Sequence, residues 1–157
     1  MQTALTGLLT GSLIAALLYA TWTDVRARII PNPLNAGIAL AAPLWWWASG
    51  MTLWHDVPVQ LAVASVALLV FAGAFAIGAM GGGDVKLIVA LGLWLVPSHF
   101  AKMIVWMSIG GGILTIAMLV RHKLRRIETP LEIPYGVAIA LAAIPVLAEP
   151  YFNQFAR

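Results

Sequence analysis

The sequence predicts an all-α membrane protein, a polytopic bundle of about six transmembrane helices. Hydrophobic residues make up 62% of the 157 residues and charged residues only 10%, whereas a soluble domain carries roughly 25% charged residues. Six apolar stretches stand out against a requirement of about 20 residues per crossing. Because no polar stretch is long enough for a separate soluble domain, residues 1–157 are expected to form one membrane domain.

The apolar stretches lie near 4–22, 33–50, 57–79, 84–97, 101–120 and 134–148. The first has no charged region before it and no clear cleavage site after it, so it is expected to be a retained helix and not a signal peptide. Tryptophans towards segment ends, such as Trp22 and Trp54, are typical of interfacial belts. The net charge of +3 lies mainly in loops, as orientation signals do, so no nucleic-acid partner is expected.

The fourth stretch, 84–97, is short, and the distribution of basic residues among the loops indicates whether it crosses the membrane. With six crossings and the amino terminus outside, most basic residues fall in cytosolic loops: Arg26, Arg28, Lys86, Arg121, Lys123, Arg125 and Arg126. If 84–97 did not cross, the basic cluster at 121–126 would be exported, against the positive-inside tendency. We therefore expect a full crossing, with local bilayer thinning or protein cover.

Two aspartates, Asp24 and Asp84, then sit at the same cytosolic depth. The chain has only six Asp and Glu residues, and a carboxylate at membrane depth costs roughly 2.5–3.5 kcal/mol. Gly81, Gly82 and Gly83 before Asp84 remove side-chain bulk and allow positive φ, so that backbone or substrate can approach closely. Asp84 begins a helix, whose amide groups favour an anion. The alternative is a glycine turn with a helix-capping aspartate.

The segment after Asp24 is expected to be a rigid turn. Pro31 and Pro33 exclude helix there and bias Ile30 and Asn32 towards extended conformations. Two arginines in this segment, Arg26 and Arg28, would anchor to lipid headgroups or to an acidic group. The alternative interpretation of this segment is a cytosolic loop whose arginines follow the positive-inside tendency and whose aspartate has no chemical role.

The chemistry expected of the two carboxyl groups depends on their separation. At about 4 Å, their repulsion is about 4 kcal/mol at an effective dielectric near 20, which would raise one pKa by about three. The second proton would then leave near neutral pH, and the pair would share a proton. One carboxylate would deprotonate a water while the protonated one polarised a scissile carbonyl, with no metal or other cofactor.

Other side chains offer weaker sites. The chain has no cysteine, which excludes disulfides, thiolate zinc sites and cysteine nucleophiles. The three histidines have no partner at metal-ligand spacing. Glu128 and Glu132 would pair with the arginines or meet a cationic substrate segment.

With both aspartate motifs in view, the chain resembles the type IV prepilin peptidases, membrane aspartic peptidases, in the short form associated with Tad/Flp-type pili. Three motifs carry the resemblance in family order. The first is Asp24, Arg26, Ile30, Pro31 and Asn32. The second is Gly-x-Gly-Asp followed by Val-Lys-Leu, here Gly81, Gly83, Asp84, Val85, Lys86 and Leu87. The third is Pro134, Tyr135 and Gly136.

The resemblance implies a six-helix bundle in the cell inner membrane that removes a short basic leader at the cytosolic face. Its substrate would be a prepilin or pseudopilin, a leader followed by a hydrophobic helix. Asp24 and Asp84 would be catalytic. Other motif residues would bind substrate or shape the site: Arg26, Pro31, Asn32, Gly81, Gly83, Lys86, Tyr135 and Gly136. Longer relatives carry a cysteine-containing segment linked to methylation. Because this sequence has no cysteine and no such segment, methyltransferase activity is not expected.

Two other classes stay open. A small transporter using Asp24 and Asp84 as proton or cation sites predicts carboxylates nearer mid-membrane and inverted-repeat halves. A lipid-modifying enzyme with oxygen-ligated Mg²⁺ usually needs several carboxylates on facing helices, which two aspartates 60 residues apart match poorly.

Overall fold

A computed structural model describes residues 2–124 and 133–155, and its backbone in these ranges forms six α-helices and no strand. The helices, in chain order, are α1 (Gln2–Ala27), α2 (Asn32–Ala48), α3 (Asp56–Ala76), α4 (Gly82–Gly92), α5 (Pro97–Leu124) and α6 (Tyr135–Phe155). Each coincides with one of the six apolar stretches. The prediction of an all-α membrane protein is confirmed.

The helices differ in their ability to cross a bilayer. Within the described residues, three segments are long and apolar enough to do so: Ala4–Ala27, Asp56–Ala76 and Pro97–Leu124. The apolar part of α6, Tyr135–Glu149, is shorter. Helix α4 has 11 residues, which at 1.5 Å per residue is about 16 Å, half of the roughly 30 Å hydrocarbon core. It must therefore rely on neighbouring helices for cover.

Helix α4 has that cover because it is the centre of the bundle. It packs against α2, α3 and α6, with smaller contacts to α5. Leu87, Ile88 and Leu91 on α4 are fully buried. A helix that is apolar on most sides is expected to be buried in this way, and the position fixes the residues at its amino-terminal end.

Two sets of hydrogen bonds show the direction of α4. At its start, the Asn35 Nδ2 group donates to the Gly83 carbonyl at 3.1 Å. At its end, the Leu93 carbonyl accepts from Trp46 Nε1 at 2.7 Å and from Gln60 Nε2 at 3.3 Å. Helix α4 thus runs parallel to α2 and antiparallel to α3, from the Asp24 end of the bundle towards the opposite end.

Several helices extend beyond the predicted stretches, and two boundaries near prolines differ in kind from the prediction. Helix α4 ends at Gly92 instead of continuing to residue 97, and α5 begins at Pro97. Asn32 was expected to be extended but is the first residue of α2, with Pro31 as the extended N-cap. Pro33 is tolerated in that first turn because amide groups there lack an intrahelical acceptor.

Helix α5 continues beyond the rest of the bundle. Gly111, near its middle, lies against the ring of Tyr135, the first residue of α6. From that level α5 runs on to Leu124, about 20 Å at 1.5 Å per residue. Ile113 and Ile116 in this half are 65% and 64% exposed, so apolar side chains face outward there.

Candidate active site

Asp24 and Asp84 line the same pocket, a cavity of about 300 Å³ at one end of the bundle. The pocket is formed by the end of α1, the segment after it and the start of α4, through Asp24, Arg28, Ile29, Ile30, Asn32, Gly81, Gly82, Gly83 and Asp84. Both aspartates are buried, with exposed fractions of 6% and 9%. Their carboxyl groups are close enough to interact electrostatically.

Asp24 lies in the last turn of α1, but its carboxyl group reaches the start of α6. Its Oδ2 atom accepts a 2.8 Å hydrogen bond from the Gly136 N–H, and the Val137 amide also contributes. These are among the first amide groups of α6, which have no acceptor within the helix. The carboxyl group therefore caps α6 and lies at the positive end of its dipole.

Asp84 lies in the first turn of α4, two residues after Gly82, and Gly81 is the extended N-cap. Its carboxyl group interacts with the backbone amide of Gly81. A carboxyl group at this position reaching back to the N-cap amide is half of a capping box. Asp84 therefore contributes to capping α4, and its side chain also lines the same pocket as a second buried carboxyl group.

Three glycines make the close approach of these elements possible. A Cβ atom on Gly136 would lie 2.8 Å from Asp24 Oδ2, and one on Gly83 would lie 3.2 Å from Ile30 Cβ. A Cβ atom on Gly81 would lie 2.9 Å from Asp84 Oδ2. The predicted use of positive φ in the glycine run is wrong: within the described residues, the glycines with positive φ are Gly50 and Gly78.

The two arginines after Asp24 have different surroundings. Arg28 lines the pocket and interacts electrostatically with Asp24. Arg26, the one singled out from sequence, instead lies over the Trp22 ring at 5.2 Å and is not among the pocket-lining residues. Arg28 has φ 56°, and its N–H donates to the Asp24 carbonyl at 2.9 Å, the single bond of an αL helix end.

The remaining motif residues connect the helices around the pocket. Lys86 Nζ donates to Asn32 Oδ1 at 2.7 Å and so links α4 to the start of α2. The Tyr135 hydroxyl lies 3.3 Å from Thr115 Oγ1 on α5 and is not among the pocket-lining residues. Pro31 is the N-cap of α2. Glu128 and Glu132 lie outside the described residues.

Sequence reasoning missed Asn35. Its side chain is 4% exposed, and its amide group donates to the carbonyl of Gly83, next to Asp84. A polar residue one turn into an apolar helix is a signal that could have identified it, because buried amides normally have a structural or functional partner.

Comparison with known proteins agrees with the resemblance. Residues 11–116 match the profile of the type IV leader peptidase family, a range that contains Asp24 and Asp84 and ends before Tyr135. The chain is 27% identical over 136 residues to the prepilin leader peptidase/N-methyltransferase of Pectobacterium carotovorum subsp. carotovorum, covering 84% of this chain. It spans about half of that relative's length, 48%. No solved structure matches the chain. The chain belongs to the type IV leader peptidase family.

Proposed function

We propose that this protein is an aspartic endopeptidase that removes the short basic leader from prepilin-like subunits, with Asp24 and Asp84 as its catalytic pair. One observation carries the proposal: two buried carboxyl groups from residues 60 positions apart line one pocket of about 300 Å³. Buried carboxyl groups are costly, and a pair beside each other cannot easily both ionise. Such a pair suits acid–base chemistry on an amide bond.

The contacts of the two groups support different roles for them. Asp24 accepts backbone hydrogen bonds from the start of α6 and has Arg28 nearby, and both favour a carboxylate. Asp84 is buried beside Asp24, which favours holding the shared proton. On these contacts we assign the ionised role to Asp24 and the shared proton to Asp84.

The hydrolysis follows from this arrangement. Asp24 takes a proton from a water as the water oxygen bonds to the scissile carbonyl carbon. Asp84 gives its proton to the carbonyl oxygen, which leaves a neutral tetrahedral intermediate. When the C–N bond breaks, Asp24 passes its proton to the leaving amine and Asp84 regains one from the intermediate. The pair returns to its starting state, and each step transfers a proton between defined atoms.

The distribution of basic residues supports a pocket that opens to the cytosol. Arg26, Arg28 and Lys86 lie at the Asp24 end of the bundle, whereas Lys102 pairs with Glu149 near the other end, at 2.6 Å. Basic residues collect on the cytosolic side of membrane proteins. The proposed location is the cell inner membrane, where a basic leader stays in the cytosol while the following apolar helix lies in lipid.

The test is cleavage of a candidate prepilin by the purified protein, with mass spectrometry to locate the cut. Asp24→Asn and Asp84→Asn should each lower the rate by about 10²–10⁴-fold, the usual contribution of a general acid or base. Both variants should still insert into membranes and give the helical circular dichroism of the unchanged protein.

Two results would count against the proposal. One is normal cleavage by either asparagine variant. The other is cleavage that stops on addition of a metal chelator, because the two carboxyl groups need no metal. The mass of the new amino terminus also shows whether a methyl group is added; the proposal covers the peptidase step alone.

A further inference from the structure

The short helix α4 receives hydrogen bonds from amide side chains of neighbouring helices at both of its ends. At its start, Asn35 of α2 donates from Nδ2 to the Gly83 carbonyl at 3.1 Å. Just after its end, Gln60 of α3 donates from Nε2 to the Leu93 carbonyl at 3.3 Å. Both side chains are buried, with 4% and 1% exposed. The two bonds are of the same kind, but only the first is made beside a proposed catalytic residue.

The Asn35 bond is made to the peptide unit that joins Gly83 to Asp84. A peptide unit is planar and includes the Cα atoms of both residues. A contact that restrains the Gly83 oxygen therefore also restrains the Asp84 Cα atom, from which the carboxyl side chain extends. Because that carboxyl group lines the pocket it shares with Asp24, its direction into the pocket depends on the orientation of this plane.

The backbone before Asp84 lacks side chains that could hold it. Positions 81–83 are all glycine, and glycine has the greatest backbone freedom of any residue. The Gly83 backbone packs on Ile30 on one side, since a Cβ atom at Gly83 would lie 3.2 Å from Ile30 Cβ. Packing limits how far this backbone can move, whereas the hydrogen bond from Asn35 also fixes the direction of the carbonyl group.

Stability alone does not account for an amide side chain at position 35. The Asn35 Oδ1 atom is buried and has no hydrogen-bond partner among the described residues. A buried acceptor without a partner costs at least as much free energy as one neutral hydrogen bond contributes. The Asn35 side chain as a whole therefore adds little net stability, and we attribute its role to the geometry that its bond to Gly83 imposes.

We propose that Asn35 is a positioning residue for peptide cleavage, which holds the Asp84 carboxyl group beside Asp24 through the Gly83–Asp84 peptide unit. The inference rests on the proposed peptidase function. A second contact acts on the same side chain, since the Asp84 carboxyl group interacts with the Gly81 amide. The Gly81 amide restrains the carboxyl group itself, and Asn35 restrains the backbone that carries it. Loss of the Asn35 contact should slow the chemical step and leave substrate binding in place.

The experiment measures kcat and KM for cleavage of a prepilin-like protein in proteoliposomes. Asn35→Leu keeps the branched shape of the side chain and removes its donor. We expect kcat to fall at least about ten-fold with KM unchanged, because a displaced acid–base group affects the transition state and not substrate binding. The matched control is Gln60→Met, which removes the same kind of bond at the other end of α4. Its kcat should not change.

A double variant separates positioning from helix packing. If Asn35 acts through the Asp84 carboxyl group, Asn35→Leu should have no further effect on the residual rate of Asp84→Asn, because residues that act as one unit are not additive. A packing role would lower the rate by the same factor in both backgrounds. If Asn35→Leu does not insert into membranes, Asn35→Ala and Gln60→Ala replace the two variants. Failure of Asn35→Ala to insert would make Asn35 a folding residue and reject the positioning role.

Four kinetic results would also overturn the proposal. They are an unchanged kcat in the Asn35 variant, a rise in KM alone, an equal fall of kcat in the Gln60 variant, and a fall by the same factor in the Asp84→Asn background. Each of these leaves the peptidase function standing, provided that the unchanged protein cleaves and Asp84→Asn is slow. If the unchanged protein does not cleave the prepilin, the peptidase function fails and this inference fails with it.

Discussion

Gly136 occupies the most restricted position beside the two aspartates. Its N–H donates to Asp24 Oδ2 at 2.8 Å, and a Cβ atom there would lie 2.8 Å from the same oxygen and 3.0 Å from Ile30 Cδ1. The backbone of α6 can reach the carboxyl group only because the residue has no side chain. A side chain at this position would force the Asp24 carboxyl group or the end of the Ile30 side chain to shift.

Gly136→Ala should therefore displace the Asp24 carboxyl group and lower the cleavage rate by at least about ten-fold. The matched control is Gly112→Ala in α5, where a Cβ atom would meet nothing within 4 Å. Cleavage rate and thermal unfolding in detergent are measured for both. Equal rates for the two variants would mean that the Gly136–Asp24 contact does not position the carboxyl group.

Arg28 combines a charge near Asp24 with a left-handed backbone, φ 56°. Arg28→Ala removes the guanidinium and keeps the unfavourable backbone, whereas Arg28→Gly removes both. We expect both variants to cleave more slowly, and the glycine variant to be more stable than the alanine variant by about 1 kcal/mol. Thermal unfolding and cleavage are measured side by side. If the alanine variant were as stable as the glycine variant, the backbone at position 28 would not be strained. If both variants cleaved at the normal rate, the guanidinium group of Arg28 would have no role in cleavage.

At the scale of helices, close packing of α3 on α4 holds the short helix α4 in place. A Cβ atom on Gly92 would lie 3.2 Å from the Ala64 Cα atom and 3.4 Å from its backbone nitrogen. Backbone atoms cannot move aside as a flexible side chain can. Small residues at such contacts let membrane helices approach closely, and here they compensate for the length that α4 lacks.

Gly92→Ala should push α3 and α4 apart and destabilise the protein by about 1–3 kcal/mol, the usual effect of overpacking. Gly73→Ala in α3 is the control, since a Cβ atom there has open space, and its stability should be unchanged or slightly raised. Both are followed by thermal unfolding in the same detergent. Similar unfolding temperatures would show that the α3–α4 contact can relax.

At the scale of the whole molecule, α1 and α5 imply different membrane depths for the pocket that Asp24 and Asp84 line. Asp24 lies one turn from the end of α1, whereas the level of Gly136 meets α5 near its middle, at Gly111. The α5 half beyond that level exposes about two thirds of Ile113 and of Ile116, and covering that surface with lipid is worth roughly 1–2 kcal/mol for each. We expect lipid to cover this half while the bilayer thins on the α1 side.

Single introduced cysteines test this arrangement. The sequence contains no native cysteine, so only the introduced one reacts with a thiol reagent. In sealed vesicles, a membrane-impermeant thiol reagent should label Ala79→Cys only from the cytosolic side and Leu53→Cys only from the other side. Ile116→Cys should resist labelling from both sides. Labelling of Ile116→Cys from the cytosol would place this half of α5 in water, and reversed labelling of the other two would invert the proposed orientation.

The sequence alone determined the class of the molecule and the places of its helices. Apolar content and segment length depend only on local composition, so the six stretches and the two aspartate motifs could be found without a structure. The breaks at Pro31 and Pro97 were also visible, although Asn32 joins α2 and α4 stops at Gly92. These differences are local, since the structure around a proline depends on where it falls in a helix.

The tertiary structure alone decided what surrounds the two carboxyl groups. Residue spacing could not show that Asp24 caps a helix 112 positions away, that Arg28 and not Arg26 lines the pocket, or that the buried Asn35 donates to the carbonyl of Gly83. Such contacts depend on the rotation of each helix and on its neighbours. No property of a single segment fixes those, because they arise only when α1, α2, α4 and α6 pack together.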